Sequence, residues 1–345
     1  MSATRTNTLF LMCLAAIAAN HITPSLSTLH KTENLKDIGA RSTSAGLVAR
    51  NKCEYYAANV FRNTTGGVFD SVVDGCHVYK EDSPLMSRSN PNSSSTFPHM
   101  ALIGFGNMKE SAKWHCSGSL ISPEFVLTAG VCLYRGGITG PARWVLLGDL
   151  NLEEDTDDAS PLRIAVRDRI AHPDFKRGVN KYDDIGLLRL QEAVALSSHV
   201  RPACISTQES FGAGDVLVRS AWDTTDWQAG AYGSLRKTAF RLLSQEQCSD
   251  KFYDVSYRPL HDSFPRGIMA ESQMCAEGVS GADCVGSGSP VQTVVRADLP
   301  HCMHQIVAIS SSDINGCSGK QHDVFLFTRV SHYVPWIERI VWPQG

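Results

Sequence analysis

This 345-residue chain has no apolar run long enough to cross a bilayer as a helix. It has no excess of one charge either. Its 32 Lys and Arg against 35 Asp and Glu leave a formal net charge of −3, which gives no electrostatic reason to expect nucleic acid or an anionic membrane as partner. The 11 cysteines include no CxxC pair, and their spacings are long and irregular, which argues against a zinc site. No internal repeat is visible. Neither a metal nor a cofactor is expected.

What is present begins with a secretory signature over residues 1–18. Arg5 gives the positive start, Leu9 to Ala16 the short apolar run, and Ala16-Ile17-Ala18 a small-x-small cleavage site. The expected product is secreted and soluble. Cys13 leaves with the signal. Cys53, Cys76, Cys116, Cys132, Cys204, Cys248, Cys275, Cys284, Cys302 and Cys317 remain, and an even number in a secreted chain predicts five disulfides.

Texture divides the rest at residue 97. Residues 19–50 are polar and unpatterned, which predicts a mobile segment. Residues 51–82 hold Cys53 and Cys76 with little apolar periodicity, so they need an external anchor to become ordered. Residues 83–96 are a Ser/Asn/Pro-rich exposed linker, and 19–96 together form an N-terminal extension. From Phe97 to residue 345, short apolar runs alternate with turns. Met100–Phe105, Trp144–Leu147, Ile185–Leu190, Val216–Ser220, Val291–Val295, Gln305–Ile309 and Val324–Val330 predict strands of an all-β barrel or sandwich. Gln245–Phe252 predicts a short helix. Ser331–Trp342 predicts a C-terminal one, capped by Ser331 and docked on the barrel through Val334, Ile337, Ile340 and Val341.

Three segments carry a family resemblance: Val126-Leu127-Thr128-Ala129-Gly130-Val131-Cys132, Asp183-Asp184-Ile185-Gly186-Leu187-Leu188 and Cys284-Val285-Gly286-Ser287-Gly288-Ser289-Pro290. Supporting blocks include Cys116-Ser117-Gly118-Ser119-Leu120-Ile121, Arg201-Pro202-Ala203-Cys204 and Phe327-Thr328-Arg329-Val330. In this ordered set the chain resembles trypsin-like serine proteases, most nearly the clip-domain proteases and homologues of arthropod haemolymph. Their six-cysteine clip module is missing, because only Cys53 and Cys76 lie upstream. The resemblance implies an all-β fold of two six-stranded antiparallel β-barrels with a C-terminal α-helix. It also implies bridges Cys116–Cys132, Cys248–Cys275 and Cys284–Cys317. For the rest, Cys76–Cys204 with Cys53–Cys302 is favoured, which would tether the upstream segment after proteolysis. The sequence does not choose between this pairing and its exchange.

The resemblance also shows what has changed. Val131 stands where the family has the catalytic histidine, and valine accepts no proton. In such a triad that loss alone costs on the order of 10⁶ in turnover, about 8 kcal/mol. Asp184 matches the triad aspartate, and without an imidazole its expected role is a structural acceptor satisfied by other donors. The nucleophile segment is one residue short. Either Ser287 is the surviving serine or Gly288 has replaced it, and the family's aspartate is missing in both alignments. A shortened turn is expected to spoil the oxyanion hole. Pro84-Leu85 is followed by Met86-Ser87-Arg88-Ser89 instead of the family's activation sequence, so both partners of the activating ion pair are gone. Ala282 occupies the trypsin-type specificity position, and Asp283, one step later, reads as a solvated loop carboxylate. His115, His172, His301 and His304 offer no obvious replacement base.

Other features are local. Asn63 and Asn92 head glycosylation sequons. The acidic run 153–158 could supply oxygen ligands to calcium, but a solvated loop is the simpler expectation. Leu85 and Arg88 mark candidate cleavage points in the pliable linker. The functional expectation is a secreted, catalytically inactive protease homologue of haemolymph. It would act as a binding cofactor or regulator in an immune protease cascade, one leading to melanisation or a complement-like response. Its partners would be other extracellular proteases, proenzymes or complement-like proteins. The alternative is a weak or unconventional serine hydrolase using Ser287.

Overall fold

Strand β1 (Met100–Phe105) shows why this sequence folds into closed barrels. All six of its residues are buried, although a strand presents alternate side chains to opposite faces. Ala101, Ile103 and Phe105 enter the core of one barrel. Met100 and Leu102 face the other way, into an apolar layer shared with Trp222 and Leu235 of the second barrel. A continuous apolar run is therefore the pattern of a wall with packed layers on both sides.

The computed structural model describes residues 45–60, 97–135, 140–149, 151–152, 161–197, 199–208, 211–226, 231–253, 262–279, 286–293, 303–313 and 324–344. The first barrel uses β1, β2 (Lys113–Ser122), β3 (Phe125–Thr128), β5 (Gly140–Leu147), β6 (Leu162–Ala171) and β7 (Gly186–Leu190), with a two-residue β4 (Tyr134–Arg135) beside β5. Their order is β1-β2-β3-β7-β6-β5, closed by β1 on β5. The second barrel uses β9 (Val216–Asp226), β10 (Ala231–Leu242), β11 (Gln273–Gly278), β12 (Pro290–Thr293), β13 (Gln305–Asp313) and β14 (Val324–Arg329). Its order, β12-β9-β10-β11-β14-β13, closes through β12 on β13. Counted along the chain, both barrels have the same cyclic order, a structural repeat that the sequence hides. The short β8 (Cys204–Ile205) lies parallel to β13. The two closed six-stranded antiparallel barrels match the expected fold.

Flanking them are the helices α1 (Leu47–Val60), α2 (Gln245–Tyr253) and α3 (Val330–Val341). Helix α3 buries Val330, Tyr333, Val334, Trp336, Ile337 and Val341, and these join the first barrel's core. Its N-cap is Arg329, with no side-chain capping bond, instead of the expected Ser331. Strand β14 runs straight into the helix, so strand pairing of Arg329 with Ala308 sets the boundary and leaves Ser331 inside the first turn.

Helix α1 is the larger departure from the sequence reading, because residues 45–50 belong to the segment expected to be mobile. Ala49, Cys53, Tyr56 and Ala57 form a buried stripe at helical spacing. The stripe is built from small and ambivalent residues, so it carries little hydrophobic signal. Its anchors come from elsewhere. The Glu338 carboxylate accepts from Gly46 N–H at 3.2 Å and Ala49 N–H at 2.8 Å, filling donors that a helix start leaves open. Trp342 Nε1–H donates to the Tyr56 hydroxyl at 3.1 Å.

A disulfide joins Cys53 to Cys204. This corrects the favoured pairing of Cys76–Cys204 with Cys53–Cys302. The helical turn at Cys53 packs beside β8, in a cluster with Met303, whereas spacing alone carries no such proximity. The expected bridges Cys116–Cys132 and Cys248–Cys275 are present. Cys76, Cys302, Cys284 and Cys317 lie outside the described residues, as do the signal segment 1–18, the linker with Leu85 and Arg88, Asn63, Asn92, the acidic run 153–158, and Ala282 and Asp283.

Candidate functional site

The family's catalytic positions fall where the barrels meet, and Asp184 is the fixed point among them. It is fully buried, at 0% exposure. Its Oδ1 accepts the backbone N–H of Val131 at 2.9 Å, and its Oδ2 accepts the Ser311 hydroxyl at 2.6 Å. Thr328 Oγ1 donates to the Asp184 carbonyl at 3.0 Å. One donor comes from the first barrel and two from strands of the second, so this residue ties the barrels together. Burial raises its carboxyl to about 6, and the Ser311 and Val131 hydrogen bonds act against that rise without cancelling it. The expected structural acceptor role fits this geometry. Ser311 escaped the sequence reading. The only signal was a serine run, Ser310-Ser311-Ser312, inside an otherwise apolar strand.

Asp183, one residue earlier, holds an unusual backbone with φ of 53°. That left-handed region is tolerated by Asp better than by most side chains. Its carboxylate accepts the Tyr333 hydroxyl at 3.0 Å, and burial followed by that carboxylate pushes the phenol upward. The kink aims successive side chains differently, Asp183 toward α3 and Asp184 toward the barrel junction.

Val131 lies in a one-turn 3-10 helix, Gly130–Cys132, directly after β3. Its side chain is half-buried and packs against the first barrel's core. The isopropyl group therefore serves as a packing element at the histidine's place. The Cys116–Cys132 bridge pins the following residue.

The nucleophile turn, 286–289, packs against the middle of β2, at Ser117. Ser117 N–H donates to the Ser287 carbonyl at 3.0 Å, Gly288 N–H donates to the Ser310 carbonyl at 2.7 Å, and the Ser289 hydroxyl donates to the Gly286 carbonyl at 2.8 Å. Gly288 has φ of +87°, and a Cβ there would overlap the Ser117 carbonyl oxygen and Thr128 Oγ1. No side chain fits at Gly288 in this backbone.

The histidines considered as replacement bases are placed for packing. His172 makes edge contacts with Tyr333 and Trp336, with ring centroids 5.0 and 5.2 Å away. His115 lies beside Phe105. His304 stacks on buried His99 at 4.6 Å, and His301 is outside the described residues.

Comparison with known proteins agrees with this architecture. The Trypsin family profile matches residues 87–337. "Serine protease snk" of Drosophila melanogaster is 30% identical over 312 residues, covering 87% of this chain and 66% of that protein. "Serine protease Hayan" of the same organism is 33% identical over 254 residues, 72% of this chain but 38% of the relative. "Phenoloxidase-activating factor 1" of Holotrichia diomphalia is 28% identical, covering 72% of this chain and 67% of that protein. The first two relatives are thus matched over less than two thirds of their own length. Among solved structures, mouse neuropsin superposes with a TM-score of 0.55 at 23% identity, covering 74% of this chain and 99% of neuropsin, a likeness of fold. With the profile spanning most of the chain and two closed six-stranded barrels in place, this protein belongs to the trypsin family.

Proposed function

We propose that this is a secreted, catalytically inactive member of the trypsin family that regulates an extracellular immune protease cascade by binding. The observation that carries the reading is the fate of Asp184. Where an active triad needs an imidazole, the chain supplies Val131, whose backbone N–H and not its side chain meets the carboxylate. Without an acceptor for the serine proton, general-base catalysis has no starting point. The barrels, their bridges and their surfaces remain available for docking to proteases, proenzymes or complement-like proteins. Related cascade proteases, including one named for activating phenoloxidase, support a melanisation or complement-like setting. The signal-like residues 1–18 and the disulfides support secretion.

A fluorophosphonate probe separates this reading from that of an unconventional hydrolase using Ser287. The expected result is no labelling of the intact or linker-nicked protein. Labelling that disappears in Ser287→Ala would overturn the inactive reading. The binding role is tested by adding purified protein to a reconstituted cascade. No change in any activation step, together with no binding to any component, would sink it.

A further inference from the structure

The connection between β6 and β7 carries Lys176-Arg177-Gly178-Val179 at its apex. All four residues are exposed, Val179 by 69%. Little holds this apex. Val179 N–H and Asn180 N–H both donate to one acceptor, the Lys176 carbonyl, at 3.0 and 3.3 Å. Gly178 takes φ of +75°, as the third position of a type II turn requires, and a side chain there would meet nothing within 4 Å.

The flanks are held firmly. The Phe175 ring lies against Gly130, so closely that a Cβ on that glycine would come within 2.8 Å. Lys181 N–H donates to the Ser263 carbonyl at 3.0 Å. The Tyr182 hydroxyl donates to the Gly267 carbonyl at 2.9 Å and accepts Arg266 N–H at 2.8 Å. Only residues 176–180 need to open for the apex to become an extended strand, and such locally weak tips are where proteases cut.

Several other described basic residues are placed differently. Arg201 and Arg219 are buried, Arg189 pairs with Glu124 at 3.1 Å, and the Arg266 guanidinium stacks 4.4 Å over the Tyr182 ring. Lys109, also in an exposed loop, is followed at once by Glu110, whose carboxylate would stand at the scissile bond.

We propose that the Arg177–Gly178 peptide bond is a processing site for a catalytically competent protease of trypsin specificity, separate from the linker at 83–96. This rests on the reading that the protein works among such proteases. Hydrolysis consumes one water, breaks the bond from the Arg177 carbonyl carbon to Gly178 N, and leaves a carboxylate on Arg177 and an ammonium on Gly178. The fragments remain joined, because Cys53 precedes the cut and Cys204 follows it. The turn forms one wall of a cavity of about 620 Å³ that Asp174, Lys176, Asn180, Asp183 and Arg266 help to line. The cut therefore remodels the surface beside Asp183 and leaves the barrel strands paired.

The test is limited digestion of the folded full chain with trypsin, read by intact mass before reduction and by N-terminal sequencing after it. A chain beginning at Gly178 is expected in the wild type and in Arg88→Gln. Before reduction it stays linked to the segment carrying Cys53. In Lys176→Gln/Arg177→Gln the new terminus disappears while linker cleavage persists. Linker cleavage without a Gly178 terminus, a chain starting at Arg177 instead, or a Gly178 chain that separates from the Cys53 segment without reduction would overturn the proposal. A failed cascade-binding assay leaves this readout untouched, so the two proposals fail separately.

Discussion

The two halves of the catalytic centre have diverged in different ways. In the half built on the first barrel, Val131 stands where the family resemblance places a histidine, and its backbone is firmly held: Asp184 receives Val131 N–H, and the bridge at Cys132 fixes the turn. In the half built on the second barrel, the turn 286–289 is one residue shorter than the pattern it resembles and is closed by the Ser289 hydroxyl on the Gly286 carbonyl. The difference separates what a buried carboxylate demands from what a backbone turn demands. A buried carboxylate needs donors whether or not it serves a reaction, because leaving it unpaired is costly. A turn has no such obligation, except where its backbone is packed, as at buried Gly288.

That contrast can be broken most severely at Gly288. Gly288→Ala forces a Cβ into the Ser117 carbonyl and Thr128 Oγ1 at a positive φ, and a loss of about 3 kcal/mol or more is expected in urea unfolding. Asp184→Ala comes next. It strands the Val131 amide and the Ser311 hydroxyl in the interior, for an expected loss of about 2–4 kcal/mol by the same measurement.

Asp184→Asn sharpens the comparison through pH. The carboxyl is raised from 3.8 to about 6 in the folded protein, so the fold favours its protonated form. Asp184 therefore makes no unfavourable contribution below about pH 4, and its ionisation opposes folding increasingly as pH climbs to 6. Two pK units correspond to about 3 kcal/mol at most. Asparagine keeps one acceptor for Val131 N–H and offers a donor to Ser311. The variant is expected to gain stability relative to wild type between pH 4 and 6 and to hold a constant advantage above. A pH series of thermal midpoints reads this directly, and an unchanged difference across that range would contradict the assigned titration. In an enzyme with a working triad the same substitution removes activity; here no activity is expected to be lost.

Ser287→Ala should be the mildest change. The turn holds Ser287 through its carbonyl, which the substitution keeps, and the expected effect on stability lies within about 0.5 kcal/mol. Val131→His alone should not restore peptide hydrolysis in a fluorogenic assay, because the shortened turn remains.

Much of this was legible in the chain itself. The strand runs, the terminal helix and the bridges Cys116–Cys132 and Cys248–Cys275 follow from apolar patterning and from family-like blocks. Asp184 was marked as an acceptor awaiting donors, but Ser311, 127 positions away along the chain, was not. Helix α1 was missed because Ala49, Cys53, Tyr56 and Ala57 bury surface without looking hydrophobic, and because Glu338, which caps it, lies almost at the other end of the chain. The preferred pairing of Cys76 with Cys204 failed for the same reason.

The sequence by itself determined the class of fold and the absence of an imidazole at position 131, since both rest on residue identity and local periodicity. Tertiary structure alone decided that Cys53 meets Cys204, that Ser311 and Val131 share one carboxylate, and that Gly288 admits no side chain. Each of these depends on which distant backbones closure of the two barrels brings within bonding or contact distance, and no local pattern encodes that.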